Sequence, residues 1–304
     1  MRHILRWNVL RVAVVAGVCC CTAALWAQAD RVPEWQTKAG GKMEFEVASV
    51  RLDKGPFQPP SFALSADDWF REPNGRFHAD FSLTTYIEFA YKIWPTREEE
   101  RVMLAGLPDW VKADRYAIEA TAPLHATKDQ YRLMMQALLA ERFQLKLHVE
   151  NKEMPVLAMT LEKPGKTGPK LIPHEQGPAC DAPPTADVFP AFCYGFMATM
   201  PKDGMARFGS RGSPMELIGK FLGSTGAMSG EIGRPVVDQT GLSGRWDFSL
   251  EVASPFDKKA PDAEQSTGPT VMEGMQEQLG LRLKPAKAVI PVIVIDHVER
   301  PSEN

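Results

Sequence analysis

The chain has few cysteines, no excess of positive charge and none of the short motifs that carry common hydrolytic chemistry. It contains no H-E-x-x-H, no G-x-S-x-G and no S-x-x-K, so the usual signatures of zinc peptidases and serine nucleophiles are missing. The net charge of −3 and the isoelectric point near 6.1 disfavour a nucleic-acid partner, which would require a basic face. The sequence therefore predicts no familiar active site and no nucleic-acid binding.

A hydrophobic run of membrane length is also missing after the first thirty residues. At the N-terminus, three arginines precede an uncharged run at 12–26, and a small-x-small site ends at Ala29. This order predicts a secretory signal peptide over 1–29, cleaved after Ala29. We therefore expect an exported protein, periplasmic or extracellular, with no stable membrane span after cleavage. A retained anchor and lipidation at Cys19 are alternatives, although Val18 stands where a lipobox has a small residue.

Cysteine is scarce in the predicted mature chain. Three of the five cysteines lie in the signal segment, which leaves Cys180 and Cys193. Two cysteines in an oxidising compartment predict one disulfide, here closing a proline-rich loop. A redox or metal pair is the alternative, but the spacing is not C-x-x-C and the sequence suggests no histidine beside it.

The chain contains an internal repeat. Residues 141–161 return as 277–297, and Leu145 and Leu281 are 136 positions apart (281 − 145). Further matching blocks follow in the same order in both halves. The repeat predicts a duplicated α+β fold in which neither half buries its apolar face alone.

The predicted organisation follows from this repeat. It comprises a signal peptide (1–29), a linker (30–43), a first α+β repeat (44–162), a disulfide-stapled connector (163–204) and a second α+β repeat (205–304). Each half should contain strands, two short helices and a C-terminal helix-strand-strand unit. We expect Pro155 and Pro291 to open the last strand of each half, where a missing N–H is tolerated.

Local signals place the helices and the exposed segments. Ser82 is a predicted N-cap, and capping boxes begin at Thr127 and Thr270. The charged run at 97–101 predicts a solvated turn. The continuous apolar run at 289–295 predicts a strand covered on both faces.

Several blocks resemble one exported bacterial family. The segments are FEVASVR, LPDWVKADRYAIEA, LLAERFQLKLHVENKEMPVLAM, VVDQTGLSGRWDF, QEQLGLRL and VIDHVERPSEN. They are similar to the "soil-associated" family of unknown function, a domain also found fused to membrane-bound BlaR-type metallopeptidase sensors. The resemblance implies an envelope or signalling context and brings no activity. The predicted unit of one helix followed by two strands also has a weaker resemblance to the short periplasmic modules of secretins and TonB-dependent receptors. This resemblance is one of fold and implies no function.

Polar and aromatic residues repeat between the halves. Trp110 and Arg115 belong to a polar-aromatic cluster in the first half, and Arg245 and Trp246 belong to a similar cluster in the second. All four are weak binding candidates because Trp and Arg are favoured at binding surfaces. Their recurrence favours a role in the fold. The histidines of the predicted mature chain are scattered, and His148 and His297 fall on alternating strands, where a solvent-facing position is expected.

The sequence thus predicts a non-catalytic ligand- or partner-binding module of the cell envelope, acting on an unknown envelope protein or small ligand. No catalytic residue, metal ligand or cofactor is predicted. A periplasmic hydrolase assembled only on folding, or a structural assembly module, are the alternatives. Function is expected where the halves differ, in the stapled connector, the 254–269 loop and the seam between the halves.

Overall fold

A computed structural model describes residues 32–181, 188–199, 202–230, 232–254 and 268–301, without the side chains of 227–229. The predicted signal peptide, with its cleavage site at Ala29, and most of the 254–269 loop lie outside the described residues.

The described elements are helices interspersed with strands, as an α+β protein requires. The helices are α1 (Glu34–Lys38), α2 (Leu83–Ala90), α3 (Arg97–Met103), α4 (Trp110–Ala113), α5 (Lys128–Arg142), α6 (Met215–Ser229) and α7 (Val271–Gly274). The strands are β1 (Val47–Asp53), β2 (Arg76–Ser82), β3 (Arg115–Thr121), β4 (Lys146–Leu161), β5 (Leu171–Pro173), β6 (Phe196–Ala198), β7 (Met205–Ser213), β8 (Val236–Asp238), β9 (Trp246–Ala253) and β10 (Leu281–His297). A 3-10 turn covers His174–Gln176, and a π-helical turn, Met275–Leu279, follows α7. The expected α+β class is confirmed.

The strands form three sheets. The first has the order β1-β3-β2 and the second the order β5-β9-β7-β6. In both, a central strand pairs antiparallel with neighbours on either side. Because β5 and β6 belong to the predicted connector, that segment supplies two strands of the second sheet.

The third sheet joins the two halves. In it β10 pairs antiparallel with β4, and β8 adds to β4 in parallel. The predicted repeat segments 141–161 and 277–297 contain β4 and β10, so the ribbon pairs one segment with the other in antiparallel orientation, with Glu153 opposite Val289 at its centre.

β4 and β10 are each one long strand, whereas two strands were expected after the preceding helix. The prediction that Pro155 and Pro291 open separate strands is wrong, because β4 and β10 run through both prolines without interruption. Neither proline breaks the pairing, since Pro155 lies opposite Lys287 and Pro291 opposite Asn151 within a continuous register.

The ribbon contributes to two separate hydrophobic cores. Leu145, just before β4, and Ile295 pack with the first sheet, α2 and α5. Met159 and Leu281 pack with the second sheet and α6. A strand of this length spans roughly 50 Å at 3.3 Å per residue, which is longer than one small core. The two cores are therefore connected by the same pair of strands.

The capping signals are confirmed. The Ser82 side chain accepts a hydrogen bond from the Thr85 N–H at the start of α2. Thr127 and Thr270 both form complete capping boxes, and Gly280, with φ 67°, ends the shorter second helix in the left-handed conformation that glycine favours.

Two local predictions are wrong. The run at 97–101 lies in α3, because Thr96 forms a capping box with Glu99 and turns the charged segment into a helix. The strand segment 289–295 is not covered on both faces: its burial partly alternates, and Val289 is 64% exposed. Among the described residues no helix is long and apolar enough to cross a membrane.

Candidate functional site at the seam

Aromatic side chains pack the two halves together beside the ribbon. Trp94, which follows α2, lies edge-on to Phe196 and to Phe221, with ring centroids 5.5 Å apart in both cases. Trp69 contacts Phe192 at 4.9 Å. Trp94 of the first half thus packs against the second core, and Trp69 contacts the connector, so the seam is a packed interface.

A cleft opens at this seam, and we call it the seam cleft. Its volume is about 630 Å³, and both halves contribute to its wall. The lining residues include five that carry positive charge and three that carry negative charge: Lys38, Lys92, Lys128, Arg132, Arg245, Asp68, Glu72 and Asp129. Trp35 and Phe70 add aromatic surface. The cleft combines charged side chains of both signs with aromatic contact area, as small-molecule sites do.

The polar wall of the seam cleft is a connected ion network. Lys92 Nζ lies 2.6 Å from Asp68 Oδ1 and 3.3 Å from Asp129 Oδ1. Asp68 Oδ2 lies 3.2 Å from Arg245 Nη2 of the second half. The neighbouring cations hold the pKa of Asp68 below its ordinary value against the opposing effect of burial, the largest single influence on it. Asp68 therefore bridges cations from both halves.

The base of the network is buried. Lys128 donates from Nζ to Asp67 Oδ1 at 2.9 Å and to the Trp69 carbonyl at 3.0 Å. Its side chain is 4% exposed. Burial, more than any neighbouring charge, lowers the pKa of Lys128 to about 8. Arg132, fully buried, donates to the Ser65 and Asp67 carbonyls and pairs with Asp129. These contacts anchor the segment before β2 to α5.

The four predicted binding candidates occupy different environments. Trp110 packs edge-on to Tyr116 in the first core and lies under the Arg300 guanidinium. Trp246 is 9% exposed and donates from its indole to the Ser243 carbonyl. Arg115 pairs with Asp53 and Asp80 at the start of β3, the central strand of the first sheet. Of the four, Arg245 lines the seam cleft.

A second polar cluster lies where the connector meets the second sheet. His174 Nδ1 is 2.6 Å from Asp247 Oδ1, and His174 Nε2 is 3.5 Å from Cys180 Sγ. The histidine and aspartate side chains are 17% and 10% exposed. We call His174, Asp247, Cys180 and Cys193 the His174 cluster.

The predicted disulfide is confirmed. Cys180 and Cys193 are bonded, with Cα atoms 5.7 Å apart. The expectation that no histidine lies beside the pair is wrong, because the turn at His174–Gln176 returns the imidazole to Cys180. Sequence reasoning treated His174 as one of several scattered histidines. Its position six residues before Cys180, within the same connector, was the available signal.

A bulge in β7 builds the pocket for the aspartate. The pairing of β7 with β9 shifts register between Ser210 and Ser213. Gly212 lies in the shift with φ 72°, so its N–H donates to Asp247 Oδ1 at 2.7 Å. A Cβ on Gly212 would come within 2.8 Å of the Tyr194 ring. The bulge therefore needs glycine both for its backbone conformation and for space.

The seam cleft and the His174 cluster are neighbours. The Arg245 guanidinium lies 5.1 Å over the Tyr194 ring and donates to the Gly212 carbonyl. Tyr194 in turn lies edge-on to His174 at 5.8 Å. One arginine therefore contacts both the wall of the cleft and the bulge that supports Asp247.

Comparison with family models gives one match. The model of a protein of unknown function, DUF3738, matches residues 84–298, more than half of the chain. The chain belongs to this family. The search of curated proteins and the search of solved structures found no match.

The DUF3738 segment covers one of the two sites more completely than the other. All four members of the His174 cluster lie within 84–298, as do Lys92, Lys128 and Arg245 of the seam cleft. Asp67, Asp68 and Trp35 lie before the matched segment. The His174 cluster and the β4–β10 ribbon are therefore part of the DUF3738 unit, whereas two of the three acidic residues that line the seam cleft, Asp68 and Glu72, precede it.

Proposed function

We propose that the chain is an exported, internally duplicated protein of the cell envelope that binds a small anionic ligand in the seam cleft without catalysis. Export is supported by the N-terminal signal pattern and by the Cys180–Cys193 disulfide. Duplication is supported by the repeated sequence segments and by the common strand order of the first two sheets. The similarity to domains fused to BlaR-type sensors supports an envelope context.

The observation that carries the proposal is the set of accessible cations in the seam cleft. Lys38, Lys92 and Arg245 line its volume of about 630 Å³ with exposed or partly exposed side chains, whereas Lys128 and Arg132 are buried in ion pairs. The side chains of Lys92 and Arg245 are 20% and 45% exposed, so both can exchange a carboxylate partner for a ligand oxygen. Trp35 provides an apolar surface beside Lys92, whose Nζ lies 5.8 Å from the ring. A ligand with a carboxylate or phosphate group and an apolar part matches this lining.

The proposal is tested with simple anions on the purified full chain. Citrate and inorganic phosphate are the probes, and trehalose and spermidine are the uncharged and cationic controls. Thermal unfolding should show stabilisation by an anion, since a ligand at 100 times its Kd adds about 2.7 kcal/mol to the folded state. Isothermal titration then gives the affinity.

A matched pair of lysine variants locates the binding. Lys92→Gln should weaken anion binding at least tenfold, whereas Lys287→Gln, which removes a 75%-exposed lysine of the ribbon, should leave it unchanged. Equal loss in both variants would indicate general charge attraction and contradict the proposal. Failure of both anions to stabilise the protein would also contradict it.

A hydrolase is the second candidate because the structure contains a His–carboxylate contact. The His174–Asp247 pair has the orientation of a general base held by an acid. The sulfur nearest to His174 Nε2 is bonded to Cys193 and is no nucleophile in that state. Hydrolysis of model thioesters by Cys193→Ser, which frees Cys180, would favour this candidate if His174→Ala abolished it.

A further inference from the structure

We propose that reduction of the Cys180–Cys193 disulfide converts the His174 cluster into a Cys₂His site for a zinc-type metal ion. The proposal concerns a site separate from the anion cleft and does not rest on the proposed function. The disulfide is then the metal-free, oxidised form of a redox-gated metal site.

The three donor atoms are already close together. His174 Nε2 and the two sulfur atoms all lie within 4.8 Å of one another, and Nε2 is 3.5 Å from Cys180 Sγ. Ligands at about 2.0–2.3 Å from a tetrahedral zinc ion are separated by roughly 3.5–3.8 Å. The nitrogen is therefore at the required distance from one sulfur, and the main movement is the separation of the two sulfurs after the bond is broken.

The imidazole is held in the orientation that metal sites use. An Asp247 carboxylate oxygen lies 2.6 Å from His174 Nδ1, so the other ring nitrogen, Nε2, faces the sulfurs. A carboxylate on the second nitrogen is the usual support of a metal-ligating histidine. Asp247 is itself fixed by the Gly212 N–H at 2.7 Å and lies 3.7 Å from Arg211 Nε. This support gives the histidine a defined direction and does not depend on the disulfide bond.

The two cysteines differ in exposure, so a reductant can reach the disulfide from one side. Cys180 is exposed, whereas Cys193 is 6% exposed. A thiolate can therefore attack Cys180, with Cys193 leaving as a thiolate within 4.8 Å of His174. With three protein ligands, a tetrahedral ion keeps its fourth position for water or another small ligand.

The chemistry balances with a dithiol as reductant. The first thiolate forms a mixed disulfide with Cys180 and releases Cys193, and the second thiol of the reductant then displaces Cys180. Two electrons pass to the protein disulfide, the reductant becomes a cyclic disulfide, and two protein thiols result. Binding of the ion as two thiolates and a neutral imidazole releases two protons.

The test compares oxidised and reduced protein. The chain with Cys19, Cys20 and Cys21 replaced by serine, which leaves Cys180 and Cys193 as its two cysteines, is reduced with a phosphine. The reaction yields phosphine oxide with the oxygen of water, and excess reagent is removed under nitrogen. Zinc is titrated in competition with a chromophoric chelator, and cobalt is titrated separately to detect thiolate-to-cobalt charge transfer. We expect one zinc per reduced chain, a charge-transfer band with cobalt, and no zinc binding by the oxidised chain.

Histidine variants supply a matched control. His174→Ala should weaken zinc binding at least 100-fold. His148→Ala should not, although His148 also pairs through Nδ1 with a carboxylate, Asp296, at 2.9 Å. Asp247→Asn tests the positioning role and should weaken binding 10- to 100-fold, with the two thiolates still present. Circular dichroism of each reduced variant identifies any that has lost its fold.

Three results would contradict the proposal. Equal zinc affinity in reduced wild type and reduced, folded His174→Ala would overturn the proposal, as would failure of the reduced wild type to compete with the chelator. Zinc binding by the oxidised chain would place the ion elsewhere and would also contradict it.

Discussion

The helices that precede β4 and β10 begin with different residues in the two halves. The difference shows which contacts belong to the shared helix start and which belong to one half alone. In the first half the first helical residue is Lys128, which follows the Thr127 cap and is held by Asp67. In the second half it is Val271, which follows the Thr270 cap and is buried in the apolar core. Two helices with the same capping geometry therefore support either an ion network or a hydrophobic contact. The cap sets the helix start, and the neighbouring segment decides what the first side chain contacts.

The equivalent arginines show the same divergence. Arg115, at the start of the central strand β3, lies 3.1 Å from a carboxylate oxygen of Asp80, which is 1% exposed. Arg245 lies beside a bulged strand and reaches across the seam to Asp68. The first arginine compensates a buried charge within its own half, and the second joins two halves. Repetition of a residue type thus does not imply repetition of its role.

Replacing Lys128 by the residue of the second half should have the largest effect. Lys128→Val leaves Asp67 buried without its ammonium partner, so the free energy of unfolding should fall by about 3–5 kcal/mol. Denaturant unfolding measures this value. The double variant Asp67→Asn with Lys128→Val should recover part of the loss, and a single-variant loss below about 1 kcal/mol would contradict the importance of the pair.

The two arginines should differ when the same change is made in each. Arg115→Met should lower the free energy of unfolding by about 2–3 kcal/mol because it leaves the buried Asp80 carboxylate uncompensated. Arg245→Met should cost less than about 1 kcal/mol because its ion pair is partly exposed. Equal losses of unfolding free energy in parallel denaturant titrations would contradict this difference between the two arginines.

The loss in Arg115→Met should also depend on pH. Burial, followed by the hydrogen bond with Asp53, raises the pKa of Asp80 above its ordinary 3.8. A carboxylate with a raised folded pKa destabilises the fold as the pH rises through that raised value. The difference between Arg115→Met and wild type should therefore be smaller in acid, where Asp80 is protonated, than at neutral pH.

A pH-dependent gain in stability is expected in α2, where Glu88 stands six residues after its cap and Gly219 stands six residues after Ser213. Burial, assisted by Glu100, raises the pKa of Glu88 to about 7 from 4.5. Wild-type stability should therefore fall as the pH rises from about 4.5 to 7. Glu88→Gln should be about 1–2 kcal/mol more stable than wild type at pH 8 and about equal at pH 4, after discounting for partial exposure. A gain that is independent of pH would contradict ionisation as the cause.

Local signals in the sequence were sufficient for the caps and the cysteine pair. Ser82, Thr127 and Thr270 cap the helices that their motifs predicted, because a cap depends on residues within one turn. The charged run at 97–101 was misread because its capping residue, Thr96, lies just before it. Pro155 and Pro291 were misread as strand starts, since only the observed register shows that pairing continues through them.

The candidate sites were less accessible to sequence reasoning. Arg245 was predicted for its residue type, but its partner Asp68 lies 177 positions away (245 − 68). His174 and Asp247 are 73 positions apart, and no short motif joins them. Contacts of this kind form when segments distant in sequence meet in the folded chain, and local sequence patterns do not encode such meetings.

From the linear chain one can obtain the α+β class, the helix caps and the pairing of Cys180 with Cys193, because each depends on short-range spacing or on there being two cysteines to pair. Folding in three dimensions was needed to join β4 and β10 into one ribbon, to place Arg245 in the seam cleft and to bring His174 between Asp247 and Cys180. These features depend on how distant strands register and bulge. That register follows from the burial of two whole cores and not from any single segment.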